Sequence, residues 1–201
     1  MKQLDKVKAR IKEFILKLNT NKIQGGRIEI LNKIAKDINK NQDLNHYPDL
    51  LFVCTHNSRR SQFAEIWAKT IAFIYNKKIN IFSAGITEEN FNWRAINVLQ
   101  KIGFSITNDS KYHVEFSKNH KPIKMYSKTI DHINSENPLI AVMICAEANA
   151  DCPNVNTAIK KRLLSYLDPK KWDNTKLEKI KYLETCTMIA TEISYLFSKI
   201  D

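Results

Sequence analysis

Glycine is scarce in this chain, with only four glycines among 201 residues. The phosphate loops of dinucleotide-binding and Walker-type proteins need several glycines at fixed spacing, because their backbone must approach a phosphate closely. No such fingerprint occurs in the sequence. This absence argues against both glycine-based classes of nucleotide-binding protein.

Cysteine is also sparse, and its spacing is informative. The four cysteines are Cys54, Cys145, Cys152 and Cys186. They form no C-x2-C pair, and no closely spaced histidine pair accompanies them, so we expect no metal site. The lysine-rich N-terminus lacks an apolar export signal, so we expect reduced thiols in the cytoplasm and not a disulfide framework. No stretch reaches the ~18 consecutive apolar residues of a membrane span, and we expect no membrane partner.

Acidic residues are outnumbered, with 21 Asp and Glu against 32 Lys and Arg and a net charge of +11. Residues 1–45 hold eleven of the basic and five of the acidic residues, a net +6, and the remaining +5 is spread over the rest of the chain. This diffuse excess is weak support for nucleic-acid binding, and we expect no such partner. It favours the encounter with anionic substrates.

The length predicts one sizeable domain with an appendage. We interpret residues 1–45 as an N-terminal helical extension and residues 46–201 as the main domain. Apolar residues at spacings of three and four predict an amphipathic helix over residues 2–18, and a second helix follows Gly25-Gly26. We expect this extension to cover an apolar surface, either of the main domain or of a partner subunit.

From residue 49 onward the sequence alternates between strand and helix patterns. Strands are predicted at 49–53, 80–85, 139–144 and 163–166, and helices at 61–69, 91–102 and 177–200. The alternation predicts an α/β fold, a four-stranded parallel sheet flanked by helices, with the active site at the carboxyl ends of the strands. Residues 112–133 fit this pattern poorly and are interpreted as an inserted hairpin that turns near residues 119–122.

The most informative segment is VCTHNSRRS, residues 53–61, at a predicted strand-to-helix junction. A loop there directs backbone N–H groups and the positive end of the helix dipole at one spot, where an oxyanion can bind. The same field favours the thiolate of Cys54, as a sulfur nucleophile requires. Arg60 offers a planar fork for two oxygens, and Ser61 can donate a hydrogen bond to the thiolate. The predicted oxyanion-binding residues are Thr55, His56, Asn57, Ser58, Arg59, Arg60 and Ser61.

This segment resembles the low-molecular-weight protein tyrosine phosphatases and the related thioredoxin-coupled arsenate reductases. The residues that fall in register are Cys54, Asn57, Arg60, Ser61, Ala64 and Glu65. One position departs from the family, because His56 stands where a glycine is usual. Asn57 tolerates a positive φ angle better than most residues, so we expect it to supply the left-handed turn. The resemblance implies that residues 46–201 form a catalytic domain of this type.

Asp168-Pro169 resembles the Asp-Pro pair that supplies the general acid in both groups of relatives. A nucleophile that attacks an oxyanion centre needs such an acid to protonate the departing oxygen. Asp-Pro is also a common turn signal, so the pair is not specific by itself. Lys170-Lys171-Trp172 follows, where the phosphatases usually continue with tyrosine, and this weakens the phosphatase interpretation.

Cys145 and Cys152 resemble the two relay cysteines of the thioredoxin-coupled arsenate reductases in separation and location. The resemblance implies a sulfur relay from Cys54 to Cys145 to Cys152, with a thioredoxin-like protein as the external reductant. In a helix, seven residues would separate the Cα atoms by about 10 Å. A disulfide tolerates less than ~7 Å, so the segment must loop or unwind when oxidised. Cys186 matches no role and is assigned to packing.

Three hypotheses remain open from the sequence. The favoured one is a thiol-dependent arsenate reductase acting on arsenate, with Cys54, Arg60, Asp168, Cys145 and Cys152 as catalytic residues. The second is a low-molecular-weight protein tyrosine phosphatase that hydrolyses phosphomonoesters, and the third is a non-catalytic oxyanion- or partner-binding protein. No organic cofactor is expected. As in some relatives, a potassium ion near Asn57, Glu65 and Ser83 is an open alternative.

Overall fold

The computed structural model describes residues 1–42, 47–146, 155 and 158–201. In chain order its strands are β1 Asp49–Cys54, β2 Ile81–Gly85, β3 Ser105–Asn108, β4 Tyr112–Glu115, β5 Ile123–Met125, β6 Leu139–Met143 and β7 Ala158–Leu163. The α-helices are α1 Ala9–Leu16, α2 Gly25–Lys40, α3 Arg60–Tyr75, α4 Trp93–Ile102 and α5 Glu178–Phe197.

The main sheet has four parallel strands in the order β2-β1-β6-β7. All residues of β1 and β6 are buried, as expected for central strands covered on both faces. Helices flank the sheet, and α3 packs closely against α5. The predicted fold class, a four-stranded parallel sheet flanked by helices with an N-terminal helical extension, is confirmed.

The fourth strand lies earlier than the sequence predicts. It is β7, Ala158–Leu163, and not residues 163–166. β7 is an edge strand with mostly exposed lysine and arginine side chains, so it lacks the apolar run that marks the other strands. The apolar residues Leu164 and Tyr166 follow it and are buried beyond its end. Asp168 still comes just after the carboxyl end of this strand, as the site requires.

Residues 112–133 do contain the predicted hairpin. β4 and β5 pair antiparallel, and the chain between them includes residues 119–122. β3 adds to β4 and completes a second, three-stranded antiparallel sheet. After β5 the chain returns towards the end of β2, where Gly85 N donates a hydrogen bond to the carbonyl of Lys128 (2.9 Å).

The N-terminal extension packs on the rest of the chain. Phe14 stacks on Trp67 of α3, with ring centroids 5.3 Å apart. From α2, Arg27 pairs with Glu192 of α5, and Leu31 is fully buried. The extension therefore covers an apolar surface of the main domain, one of the two expected roles. The proposed boundary at residues 45 and 46 falls outside the described residues and stays a prediction.

The first predicted helix is shorter than expected. A short 3-10 helix at Leu4–Lys6 precedes α1, and the backbone between them is extended at Val7 and Lys8. Lys8 N donates to the carbonyl of Phe116 (2.9 Å), the residue that follows β4. In a continuous helix this N–H group would instead bond within the helix. Gly25 begins α2, so the glycine pair forms the first turn of the second helix.

Candidate active site

The nucleophile loop joins β1 to α3 and spans residues 54–60. Cys54 ends β1 and is 4% exposed, and Arg60 begins α3. Asn57 has a φ angle of 46°, so the predicted left-handed turn is present. The loop residues therefore sit at a helix N-terminus, where the helix dipole favours an anion.

Ser61 lies directly against the sulfur of Cys54. Its hydroxyl oxygen is 3.0 Å from Cys54 Sγ. Asn57 Nδ2 donates to the same oxygen at 2.8 Å, which leaves the hydroxyl hydrogen of Ser61 to point at the sulfur. The Ser61 hydroxyl is therefore positioned to donate a hydrogen bond to the sulfur of Cys54, as the sequence predicts.

Asn57 is the centre of the hydrogen bonds that hold the loop. It is fully buried, and its Nδ2 also donates to Ser83 Oγ on β2 (2.9 Å). Its Oδ1 accepts from the backbone N–H of Lys128 (2.9 Å), and its carbonyl accepts from Gln62 Nε2 (2.8 Å). Ser83 in turn donates to Glu65 Oε2 (2.6 Å), so the loop is tied to both α3 and the neighbouring strand.

Gly85 is a site residue that the motif reasoning missed. A Cβ atom built on Gly85 would lie 2.1 Å from the carbonyl oxygen of Thr87 and 2.8 Å from the backbone nitrogen of Asn57. Any larger residue would push against the loop backbone. The sequence signal was available, because one of only four glycines stands at the end of the strand next to β1.

Arg60 and Asp168 face each other across a small cleft. Arg60 Nη2 donates to Asp168 Oδ2 at 2.6 Å, and Nη1 donates to the carbonyl of Tyr166 at 2.8 Å. The other carboxylate oxygen of Asp168 accepts from the backbone N–H of Lys170 (3.0 Å) and caps a 3-10 helix. The cleft is lined by Cys54, His56, Ser58, Arg59, Arg60 and Asp168. The predicted acid is thus brought to the nucleophile loop.

Arg59 also lines the cleft, but its guanidinium has other partners. Its Nε donates to the hydroxyl of Tyr182 on α5 (2.9 Å), and it lies 3.7 Å from Glu89 and 3.9 Å from Asp173. Burial raises the pKa of Tyr182, and its bond to Asp173 acts in the same direction. The Arg59 side chain therefore fastens the loop to α5.

The three other loop residues each have a contact outside the loop. His56 is about one-third exposed, and its Nδ1 is 3.0 Å from Thr87 Oγ1. Ser58 Oγ donates to the carbonyl of Asn90 (2.7 Å). Thr55 Oγ1 lies 3.4 Å from the sulfur of Cys145. His56 stands at the position where the motif usually has glycine, but the residue with a positive φ angle is Asn57, the next one along the chain.

The remaining cysteines occupy different environments. Cys145 is fully buried just beyond β6, and the chain before it pairs with β1, because Ile144 N donates to the carbonyl of Val53 (2.8 Å). Cys152 lies outside the described residues. Cys186 is buried on α5 under Trp67, whose Nε1 donates to its sulfur (3.2 Å), and burial raises its pKa to about 12. The assignment of Cys186 to packing is consistent with these contacts.

Two further properties concern only the part of the chain that the structure describes. Within it, no cluster of three or more His, Cys, Asp or Glu side chains could hold a metal ion. Nor does any helix of these residues have the length and apolar character needed to cross a membrane.

Comparisons with known proteins show which family this chain belongs to. The sequence model of the family described as "Low molecular weight phosphotyrosine protein phosphatase" matches residues 49–201. The arsenate reductase of Staphylococcus aureus (strain Newman) is 33% identical over 125 residues, which cover 61% of this chain and 81% of that protein. Arsenate reductase 1 of Staphylococcus saprophyticus is 30% identical over a stretch of the same length.

Two solved structures share the fold. A low molecular weight phosphotyrosine phosphatase from Vibrio cholerae O395 superposes with a TM-score of 0.53 at 16% identity, covering 75% of this chain and 94% of that one. An arsenate reductase from Archaeoglobus fulgidus DSM 4304 gives 0.51 at 19% identity, covering 75% and 99%. At these identities the likeness concerns the fold alone.

Proposed function

This chain belongs to the low molecular weight phosphotyrosine protein phosphatase family, whose arsenate reductase and phosphatase relatives are enzymes, and within it we propose that the protein is a thiol-dependent arsenate reductase. The observation that carries the proposal is the position of Cys145. Its sulfur is 3.4 Å from Thr55 Oγ1, which belongs to the residue directly after Cys54. A second thiol in contact with the nucleophile loop is useful to a reductase, whereas hydrolysis does not require it.

The first step forms a bond from the Cys54 thiolate to arsenic. The loop and Arg60 hold the arsenate oxygens, and one hydroxyl leaves as water with the proton that Asp168 donates. In the free protein Arg60 pairs with the carboxylate of Asp168. A bound oxyanion would compete with Asp168 for that guanidinium and would bring its leaving oxygen beside the carboxyl group.

The second step transfers the oxidation to sulfur. The Cys145 thiolate attacks Cys54 Sγ, so that an S–S bond forms and the S–As bond breaks. The electron pair of the S–As bond passes to arsenic, which is reduced from As(V) to As(III) and leaves as arsenite. The product is a disulfide between Cys54 and Cys145.

The third step restores the nucleophile. Cys152 attacks Cys145, releases Cys54 as a thiolate and leaves a disulfide between Cys145 and Cys152. A thioredoxin-like dithiol reduces that disulfide by exchange and is itself oxidised. The role of Cys152 is inferred from its position in the sequence and from the resemblance to the thioredoxin-coupled arsenate reductases.

A phosphatase is the second candidate, and the cleft itself supports it. A loop that binds arsenate also binds phosphate, and Cys54, Arg60 and Asp168 are sufficient for hydrolysis. Cys54 would attack phosphorus, Asp168 would protonate the leaving oxygen, and water would release the phosphate. In this reaction Cys145 and Cys152 have no chemical role.

One assay panel separates the two candidates. Thioredoxin-coupled arsenate reduction and aryl phosphate hydrolysis are measured for the wild type, Cys54→Ser, Cys145→Ser and Cys152→Ser. Cys186→Ser is the matched control, because this cysteine packs away from the cleft. For a reductase we expect Cys54→Ser to abolish both reactions, while Cys145→Ser and Cys152→Ser stop repeated arsenate turnover and spare hydrolysis. Cys152→Ser should accumulate the Cys54–Cys145 disulfide, detected by mass mapping of non-reduced peptides.

Two results would reject the reductase. One is wild-type arsenate turnover in both Cys145→Ser and Cys152→Ser. The other is a wild-type protein that hydrolyses aryl phosphates and leaves arsenate unreduced, which would establish the phosphatase instead.

A further inference from the structure

The segment Tyr126–Lys128 lies along the nucleophile loop, although it is more than sixty residues away in the sequence. Ser127 Oγ donates to the carbonyls of His56 (3.2 Å) and Asn57 (3.1 Å). The backbone N–H of Lys128 donates to Asn57 Oδ1, and the carbonyl of Tyr126 accepts from Gln62 (3.2 Å). The segment Tyr126–Lys128, which follows the antiparallel hairpin, therefore holds the nucleophile loop in place through these hydrogen bonds.

Lys128 brings a positive charge into this buried network. It is only 5% exposed, and its Nζ lies 3.5 Å from Glu65 Oε2. Glu65 is 2% exposed and also accepts a hydrogen bond from Lys69 Nζ at its other oxygen (2.6 Å). The Lys128 ammonium also lies 4.7 Å from the centroid of the Tyr126 ring. Burial lowers the pKa of Lys128, and the negative charge of Glu65 opposes that shift.

The contacts connect this charge to the nucleophile through a short series of residues. Glu65 Oε2 accepts from Ser83, and Ser83 accepts from Asn57. Asn57 donates to Ser61, whose hydroxyl contacts the sulfur of Cys54. Because the Glu65 carboxylate can only accept, the Ser83 hydroxyl must donate to it, and the Ser83 oxygen is then free to accept from Asn57 Nδ2.

These residues do not fit a bound potassium ion. The oxygens that such an ion would need are already used: Asn57 Oδ1 accepts from Lys128 N, Ser83 Oγ from Asn57 Nδ2, and Glu65 Oε2 from Ser83. The Lys128 ammonium lies beside the carboxylate and would repel a second cation. Among the described residues, Gln62 Oε1 is a buried oxygen without a partner, but a single neutral oxygen is far from the ~6 ligands that a hard cation takes.

We propose that Lys128 is a positioning residue whose ammonium serves as a built-in cation for the Glu65–Ser83–Asn57 network, so that the oxyanion loop is ordered without a monovalent metal ion. Lys128 acts through this network and does not touch the substrate. The inference rests on the oxyanion-binding role of the loop, and it is the same for arsenate reduction and phosphate ester hydrolysis.

The wild-type protein gives the first test. Its thermal unfolding midpoint and its affinity for inorganic phosphate, measured by calorimetry, are compared in potassium, sodium and tetramethylammonium chloride at equal ionic strength. We expect the three salts to agree, with affinities that differ by less than about twofold, which is within ~0.4 kcal/mol. A potassium-specific rise in either quantity would overturn the proposal. Failure to bind phosphate in any salt would instead reject the oxyanion role of the loop, while the unfolding midpoints would still test Lys128.

Variants at position 128 give the second test. Lys128→Ala removes the charge and leaves space, Lys128→Met removes the charge and fills much of the space, and Lys124→Ala on the same hairpin is the exposed control. We expect both Lys128 variants to bind phosphate about tenfold more weakly, as for loss of a charged contact, and the control to match the wild type.

Potassium should restore phosphate binding in Lys128→Ala and not in Lys128→Met, a pattern that a purely structural role would not produce. Wild-type phosphate affinity in folded Lys128→Met would refute the proposal, and the wild-type salt comparison decides the matter if the variants do not fold.

Discussion

Asp168 has two partners that bear on its proposed role as an acid. One carboxylate oxygen is held by Arg60, and the other caps the short helix that begins at Pro169. The cap and the ion pair together fix the position of the carboxyl group. Asp168 is therefore placed at the cleft before any oxyanion binds.

Asp168→Asn should slow the first chemical step by about 10²-fold, as expected for the loss of a general acid. Affinity for inorganic phosphate should be retained, because the neutral amide no longer competes as an anion for Arg60. Rapid-mixing kinetics of the first step and calorimetry with phosphate measure these two effects. An unchanged first step would remove Asp168 from the mechanism.

The two adjacent arginines differ in their partners. Arg60 faces the cleft and Asp168, as the spacing of the motif predicts. Arg59 lies one residue short of that spacing, so the motif by itself predicts that a change to lysine there has a mild effect. The structure makes this expectation too simple, because Arg59 is 6% exposed and bonded to Tyr182. Arg59 has a structural task that the motif does not reveal.

The expected effects of lysine substitution are therefore different in kind. Arg60→Lys should lower turnover by at least ~10²-fold, because a point charge cannot replace a planar fork that holds two oxygens. Arg59→Lys should cost about 1–2 kcal/mol in the free energy of unfolding, through the lost bond to Tyr182, and affect turnover much less. Steady-state kinetics and urea unfolding of both variants measure the contrast. If Arg59→Lys lost more turnover than Arg60→Lys, the register of the loop would be wrong.

The end of β2 sets the space available to the nucleophile loop. Gly85 pairs with Cys54 in the parallel register, so the loop begins beside a residue without a side chain. The loop then returns over Gly85 closely enough that a Cβ atom would meet Thr87 and Asn57. The conformation of the nucleophile loop thus depends on the neighbouring strand β2 as well as on the loop residues.

Gly85→Ala should displace the loop. Overpacking of this kind costs about 1–3 kcal/mol, and we expect phosphate affinity to fall by at least tenfold as the loop moves. Gly26→Ala is the matched control, because a Cβ atom there has nothing within 4 Å and lies in α2, where alanine is favoured. Calorimetry and thermal unfolding of both variants test this. Unchanged phosphate binding in Gly85→Ala would show that the loop does not depend on this close approach.

Across the whole molecule, the N-terminal helices and the α/β sheet region share one apolar core. Ile11 and Leu31 are fully buried, and Phe14 stacks on Trp67 of α3. Ion pairs strengthen the same contact, since Arg162 of β7 binds Asp37 of α2 at 2.6 Å. The extension is thus a structural part of the fold and lies against the helix that carries the active-site loop.

This arrangement predicts cooperative unfolding of the extension with the rest of the chain. Leu31→Ala should cost about 2–5 kcal/mol, because it leaves a cavity in the shared core. Leu16→Ala, at a side chain that is 60% exposed, should cost much less. Tryptophan fluorescence and far-ultraviolet circular dichroism should report one coincident transition in urea. Two separate transitions would show that the extension unfolds by itself.

The sequence by itself determined the features that depend on neighbours along the chain. The strand, the turn at Asn57 and the start of α3 are local, so the cysteine-x5-arginine spacing was enough to locate Cys54 and Arg60. The end of α4 was equally local, because Gly103 takes up a φ angle of 125° that other residues disfavour. The buried strands β1 and β6 could be predicted from the sequence, because strands buried on both faces are continuous apolar runs.

Tertiary structure alone decided which distant residues meet the loop. Lys128 and Asn57 are 71 residues apart, and Arg59 and Tyr182 are 123 apart, yet each pair shares a hydrogen bond. Such contacts leave no periodic pattern in the sequence, because a single hydrogen bond needs only one residue from each segment. β7 was misplaced for a related reason: its exposed edge needs no apolar run, and its pairing with β6 is made by backbone groups that every sequence has.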